Sequence, residues 1–336
     1  MKQTDLAVYL SKFLKVRLPT QQGVKKNTIL AYRDSFSLLL EYCRDVEHIA
    51  PEKLAVTDLS RECIFRFLDW LQNERHCKVS TRNHRLAAIK SFFGFLAVEA
   101  PEYIEQCQSI KSIPLKKTDK APLMYLTLEQ VKALLEQPDR TTPQGRRDAV
   151  LLSLLYDTGA RVQELIDLTF GDISDGDIVT VILTGKGGKS RIVPLMEPTG
   201  ELLKYYFKVT GKNPTLNPRE LLFPNKQGRK YTRVGITDII QRNVDRARAK
   251  GINMPEKVTP HWLRHSKAMH LLQAGVNLIY IRDLLGHVNV TTTEVYARAD
   301  EKMKREALLK AYENPTDKEL PSWKKDDNLL EWLKSL

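Results

Sequence analysis

Apolar positions along the first third of the chain recur at helical spacing. Leu6, Tyr9, Leu10, Phe13 and Leu14 form one stripe, since residues three and four apart share a helix face. A second stripe runs through Leu30, Tyr32, Phe36, Leu39, Leu40 and Tyr42 behind Asn27-Thr28, and a third through Ile64, Phe67, Leu68 and Leu71 behind Thr57-Asp58. Both polar pairs are residue types that cap helix N-termini. A fourth helix is predicted from Ser80-Thr81 through Leu86, Ile89, Phe92, Phe93 and Leu96 to a stop at Ala100-Pro101. The stretch Lys111 to Pro122 is polar, basic and proline-bearing, without apolar periodicity, and reads as a linker.

Beyond it the pattern predicts a Thr127-capped helix, then a long apolar helix through Ala149, Val150, Leu151, Leu154 and Leu155 that turns at Thr158-Gly159. The period changes from 3.6 to 2 around Asp172 to Leu195, where two β-rich runs flank the glycine-rich turn TGKGGK, a hairpin signature. Helical patterns then resume to about Glu313. The expected fold is mainly α with a small antiparallel β-sheet in the second of two domains: 1–112 helical, 113–124 linker, 125–300 second domain, 301–336 tail. The tail ends in an amphipathic piece with Trp323, Leu329, Leu330, Trp332 and Leu333.

Charge adds a partner to this outline. The chain of 336 residues carries a net charge of +12, which suits a polyanion whose condensed counterions are released on binding. Residues 1–120 hold 20 Lys+Arg against 14 Asp+Glu and the remainder 33 against 27, so each part carries +6. Arg82, Arg85 and Lys90 interleave with the apolar positions of the fourth helix and are assigned as DNA-facing, the alternative being an ordinary solvated face. No run of eighteen apolar residues and no basic-then-apolar leader is present, so a cytoplasmic protein without membrane contact is expected. Cys43, Cys63, Cys77 and Cys107 lack the short paired spacings of a zinc site and are expected to be reduced and structural.

The densest chemistry lies in TPHWLRHS, Thr259 to Ser266. With Thr259 as cap and Pro260 in first position, His261 and Arg264 share a face at a helix N-terminus, where the dipole favours an anion. The pair His261/His265 has the i,i+4 spacing of a zinc site, but no glutamate follows the first histidine and an arginine stands between, which argues against a metal. Downstream, Gly286 ends a helix, His287 sits at the break, and Thr291-Thr292-Thr293 start a helix bearing Tyr296. Upstream, Arg161 follows a glycine turn and opens a helix containing Glu164.

TGAR-x-x-EL, a hairpin with G-K-G, H-x-x-RH, LGH, and a tyrosine nine residues after that histidine, in this order, resemble the tyrosine recombinases, the family of phage integrases and Xer-type resolvases. The resemblance spans roughly 125–300, and the helical reading of 1–110 resembles the family's SAM-like core-binding domain. It implies Arg161 and Arg264 as phosphate-clamping arginines, Lys186 as general acid (with Lys189 its rival), His261 and His287 as the site histidines, Glu164 as a support for Arg161, and Tyr296 as nucleophile. It further implies double-stranded DNA as substrate, a homo-tetramer on two duplexes, and a tail exchanged between protomers. The task implied is integration, excision or resolution of a mobile element through a 3′-phosphotyrosine, with no cofactor and no metal. The residue types suit that chemistry. Two permanently charged forks bind the nonbridging oxygens, where charge accumulates, and a phenol of reference pKa about 10 needs help losing its proton. Three rival readings are a type IB topoisomerase, a DNA-binding regulator without turnover, and a metal-dependent hydrolase.

Overall fold

The computed structural model describes residues 3–118, 122–185, 187–287, 289–299 and 334. The chain divides into two compact units, Met1–Ala121 and Pro122–Leu336.

The regular structure of the first unit, among the described residues, is all helical. α1 (Asp5–Lys12) widens into a π-helical stretch, Phe13–Gln21, with Pro19 inside it; α2 (Lys26–Asp45), α3 (Arg61–Asn73), α4 (Val79–Glu99) and α5 (Ile104–Lys111) follow. The apolar stripes meet in one core, where Phe13 and Phe36 each turn an edge to Phe92 at 5.5 and 5.3 Å. Offset and edge-on rings of this kind add stabilisation beyond their buried area. Two capping expectations are corrected. α2 starts one residue before Asn27 and has no side-chain cap. At the third helix Ser60 caps by accepting from the Cys63 amide, while Asp58 belongs to the preceding turn and accepts from the Ala55 amide. At α3 several residues of the same polar class stand side by side and Ser60 is the one that caps; at α2 none does. Part of the expected linker also packs here: Ile113 is fully buried, and the Lys116 backbone exchanges hydrogen bonds with the Asn83 side chain.

The second unit opens with α6 (Leu128–Leu135), whose Thr127 hydroxyl accepts from the Gln130 amide while the Gln130 side chain accepts from the Thr127 amide, a reciprocal capping box. α7 (Pro143–Thr158) is buried nearly all round from Asp148 onward; its run Ala149–Leu155 is apolar on most faces, and the acidic Asp157 buried with it is paired. The helix ends at Gly159 with φ 57°, a left-handed cap that glycine adopts without penalty. α8 (Val162–Asp167) leads into a three-stranded antiparallel sheet, β1 (Ile173–Asp175), β2 (Val179–Thr184) and β3 (Ser190–Pro194), in the order β1-β2-β3. Val181 pairs with both Ile173 and Val193, and Val179, Val181 and Leu183 turn inward together, the period-2 pattern of a half-buried strand. α9 (Glu197–Thr210), α10 (Arg233–Ala249), α11 (Pro260–Gln273), α12 (Leu278–Leu285) and α13 (Glu294–Ala299) complete the unit. Lys267 on α11 and Asp157 on α7 form a buried ion pair at 3.0 Å, and the same carboxylate receives the Met196 amide at the start of α9. The tail from residue 301, with Leu308, Leu309 and the Trp323–Leu336 piece, lies outside the described residues apart from Lys334.

Candidate active site

The site assembles around the C-terminal end of α12. A helix end leaves carbonyls without intrahelical partners, and the dipole makes that end negative. Here three successive carbonyls are taken by three arginines from elsewhere in the chain. Arg191 Nε donates to Leu284 O at 2.7 Å, Arg264 Nη2 to Leu285 O at 2.6 Å, and Arg161 Nη2 to Gly286 O at 3.0 Å. Gly286 has φ 63°, and a Cβ there would stand 2.9 Å from Arg191 Nη1, so the close approach and the left-handed backbone both require glycine.

Arg264 is 3% exposed and also donates to Gly159 O at 2.6 Å, tying α11 to the α7 terminus. Burial first, then the charge of Arg161, lowers its pKa to about 10, which leaves it charged at neutral pH. Arg161 is the N-cap residue of α8 and is more open. Its Nη1 donates to Glu164 Oε1 at 2.8 Å, and its backbone amide to Glu164 Oε2 at 2.9 Å. Glu164, buried, also receives Arg191 Nη1 at 3.2 Å and Nη2 at 2.8 Å. Burial pushes its carboxyl up, but the hydrogen bonds from Arg191 and Arg161 outweigh that and hold it at about 2.

Tyr296 on α13 is 2% exposed. Its hydroxyl lies 3.0 Å from His265 Nδ1, and its ring stacks on His287 with centroids 6.4 Å apart and planes within 6°. Burial raises the phenol pKa, while Arg264 and Arg161 work in the opposite direction. His265 and His287 are each pushed down to about 4, by burial first and then by neighbouring basic side chains, His261 and Arg264 for the former and Arg264, Arg161 and Arg191 for the latter. His261 is lowered too, by desolvation and then by Arg264, Arg161 and Arg233. His287 Nδ1 is fixed by Thr293 Oγ1 at 3.0 Å. An open cleft of about 540 Å³ beside these groups is lined by Arg161, Lys189, Arg191, Arg282 and His287, among others.

Of the residues singled out from sequence, Arg161, Arg264, His287 and Tyr296 converge on the α12 terminus. His261 begins α11, one turn ahead of His265, with its ring stacked over that of His265 at 6.1 Å. Thr259 stands in the cap position of α11, yet its hydroxyl makes no capping bond. Lys186 lies outside the described residues, whereas its rival Lys189 borders the cleft. Two participants were missed. His265, rather than His261, meets the tyrosine hydroxyl. Arg191 shares Glu164 with Arg161, and its signal was strand parity: it has the inward phase of Val193, while Ile192 points outward and is exposed. Among the basic residues of α4, Arg82 requires a correction. It is 2% exposed and packed in the first unit's core, so it is not on a solvent-facing stripe. Arg85 Nη1 is engaged by Ala31 O and Ser35 Oγ, and Lys90 is half-buried. No helix among the described residues is long and apolar enough to cross a membrane, and no cluster of three metal-ligating side chains occurs among them.

Residues 124–303 match the model of the phage integrase family and residues 11–100 that of the phage integrase N-terminal SAM-like domain. The chain is 36% identical over 336 residues to a putative integrase/recombinase, y4rC, of Sinorhizobium fredii, covering 100% of this chain and 99% of that one. It is 35% identical over 285 residues to the tyrosine recombinase XerC of Roseiflexus sp., covering 83% and 85%. In fold it is similar to the XerH site-specific recombinase in a post-cleavage complex with a palindromic difH substrate, with TM-score 0.66, 22% identity and coverage of 90% and 85%. It is likewise similar to the Tn1549 transposon integrase in complex with circular intermediate DNA, with TM-score 0.65, 22% identity and coverage of 91% and 99%.

Proposed function

Because this chain belongs to the phage integrase family, whose members it matches across both units, we propose that Tyr296 is the nucleophile with which it cleaves and rejoins DNA strands as a site-specific tyrosine recombinase. The observation that carries the assignment is the convergence of Arg161, Arg264, His287 and Tyr296 on one helix terminus beside an open cleft. The phenol oxygen attacks a DNA phosphorus, a 3′-phosphotyrosine forms, and the 5′ oxygen leaves and takes up a proton. Arg161 and Arg264 bind the nonbridging oxygens as charge develops there; such preorganised donors act without having to reorganise during reaction.

Lys186, which lies between β2 and β3 in the sequence, is our choice for the acid that protonates the leaving oxygen, and Lys189 is the alternative. His261 and His265 are the candidates for handling the tyrosine proton. Neutral His265 holds the hydroxyl in the described state, and attack requires Tyr296 to exchange this partner for phosphate. The phosphotyrosine conserves the energy of the broken bond, so religation to a 5′ hydroxyl of another strand needs no nucleotide cofactor. We assign the first unit, with its SAM-like match and positive charge, to gripping the duplex. The active assembly is proposed as a tetramer on two duplexes in the cytoplasm, the tail beyond residue 300 exchanged between protomers and the DNA that of a mobile element or a resolution site.

The test is covalent trapping. Wild-type and Tyr296→Phe protein are incubated in EDTA with nicked duplexes tiled across the DNA flanking the gene, then resolved on denaturing gels. A protein–DNA adduct formed by the wild type and absent in the variant is the expected result. DNA that is bound but never joined to the protein would overturn the reading and favour a regulator that keeps only the scaffold.

A further inference from the structure

We propose that Arg191 is a positioning residue of this site, a strut that keeps Arg161 and His287 in place and leaves the charge of Arg161 free for phosphate. The inference rests on the assignment of Arg161 as a phosphate clamp. Its first support is the orientation of β3. Arg191 is turned inward and is only 13% exposed, while the adjacent Ile192 faces solvent. A strand that buries a guanidinium and exposes an isoleucine gives up apolar burial and puts a charge where desolvation is costly unless it is paired and bonded.

The pairing is complete. Nη1 and Nη2 fork onto both oxygens of Glu164, and Nε takes Leu284 O. Arg191 therefore joins three elements that each carry part of the chemistry: the β2–β3 hairpin with its lysine turn, α8 with Arg161 at its start, and the α12 terminus that hands on directly to His287. Because its side chain also packs against Gly286, a shift of the guanidinium moves the carbonyl that Arg161 Nη2 holds.

Charge gives the second argument. One carboxylate lies between two guanidiniums, so the group Arg161–Glu164–Arg191 carries a net positive charge. With Arg191 removed, Glu164 would be left to Arg161 alone, and the pair would present no net charge to an incoming phosphate. The carboxylate fixes Arg161 by its amide and by Nη1; the second arginine keeps that fixing from neutralising it.

The experiment is single-turnover cleavage of the duplex on which wild-type protein forms its adduct, with DNA affinity measured separately. Arg191→Ala is expected to slow cleavage by about 10- to 100-fold, the scale of a small displacement in a catalytic group, with affinity within about threefold of wild type. Arg191→Lys restores the charge without the fork and recovers part of the rate. Adding Glu164→Gln to Arg191→Ala removes the unbalanced carboxylate, so the double variant is no slower than the slower single variant, a non-additivity expected of coupled groups. If Arg191→Ala does not fold, Arg191→Lys carries the test by cleaving more slowly than wild type at unchanged affinity. Wild-type rates in Arg191→Ala or Arg191→Lys, parallel losses of rate and affinity, or strictly additive effects with Glu164→Gln would each overturn the strut. Absence of an adduct in the wild type would instead bring down the site assignment itself, and the strut with it.

Discussion

Among the described residues each unit buries one arginine almost completely on a helix, and the two are held very differently. Arg82 on α4 is 2% exposed, its Nη1 reaches only its neighbour Asn83 at a long 3.3 Å, and its Nε has no partner among the described residues. Arg264 on α11 is 3% exposed and makes two 2.6 Å bonds to the carbonyls of Gly159 and Leu285. Burial lowers the pKa of both. The contrast teaches that burial of a cation does not by itself mark a site. What marks it is convergence: Arg264 joins Arg161 and Arg191 on three successive carbonyls, beside a tyrosine and two histidines, whereas nothing of the kind gathers at Arg82.

The comparison breaks most visibly at Arg264. Replacing it with Met keeps the length and removes the charge and both bonds. Cleavage by Arg264→Met is expected to fall by at least about 10²- to 10³-fold, as when one preorganised donor is lost. Stability is expected to fall by about 1–3 kcal/mol for each carbonyl left buried without a donor, read as a shift of the urea midpoint at unchanged slope. A variant that cleaves at wild-type rate would mean that the convergence at α12 is scaffolding only.

How much of this was legible in the sequence follows from the range of each interaction. Signals carried within one helical turn were readable: the Thr127 cap of α6, the glycines that end α7 and α12, and the change to a period-2 pattern at the hairpin, whereas the support of Arg161 by Glu164 came only from the family resemblance. Where several cap-forming residues lie together, composition named only the neighbourhood: from Thr57 to Ser60 it is Ser60 that caps α3, and at Asn27-Thr28 neither side chain caps α2. Contacts that close over long separations were not readable. Arg191 meets Glu164 across 27 positions, and Tyr296 meets His265 across 31. His261 and His265 were indistinguishable as partners for the tyrosine until α13 was placed against α11. Arg82 misled because a basic residue among apolar ones fits both a solvated stripe and, as here, the core itself.

The acid response sharpens the same contrast. His265 and His287 have folded pKa values of about 4 against about 6.5 unfolded. Between those values the unfolded chain binds more protons than the folded one, so stability is fully present above about pH 6.5 and is lost on acidification, with a slope of at most about 1.4 kcal/mol per pH unit for each group. Glu164 has the same sign in a lower window, its contribution present above the unfolded value of about 4.3 and lost as pH falls toward its folded value of about 2. Hydrogen exchange of α11 and α12 should therefore report easier opening at pH 5 than at pH 7, and the His265→Gln/His287→Gln pair should flatten that dependence. An unchanged slope in the double variant would mean that these histidines are not held neutral by the fold.

The smallest effect is expected at Arg82. A buried guanidinium with one long hydrogen bond has lost its hydration and gained little for it, and replacing such a charge by an apolar side chain of similar length is often neutral or stabilising. Arg82→Met is therefore expected to alter stability by no more than about 1 kcal/mol in the unfavourable direction, with adduct formation and DNA affinity unchanged, in direct contrast to Arg264→Met. The sharper outcome is a gain in stability, which would show that the first unit carries this charge at a net cost. A loss of DNA affinity of about tenfold or more, equivalent to about 1.4 kcal/mol, would mean that Arg82 leaves the core for a phosphate when DNA binds, and the two buried arginines would then differ in timing rather than in kind.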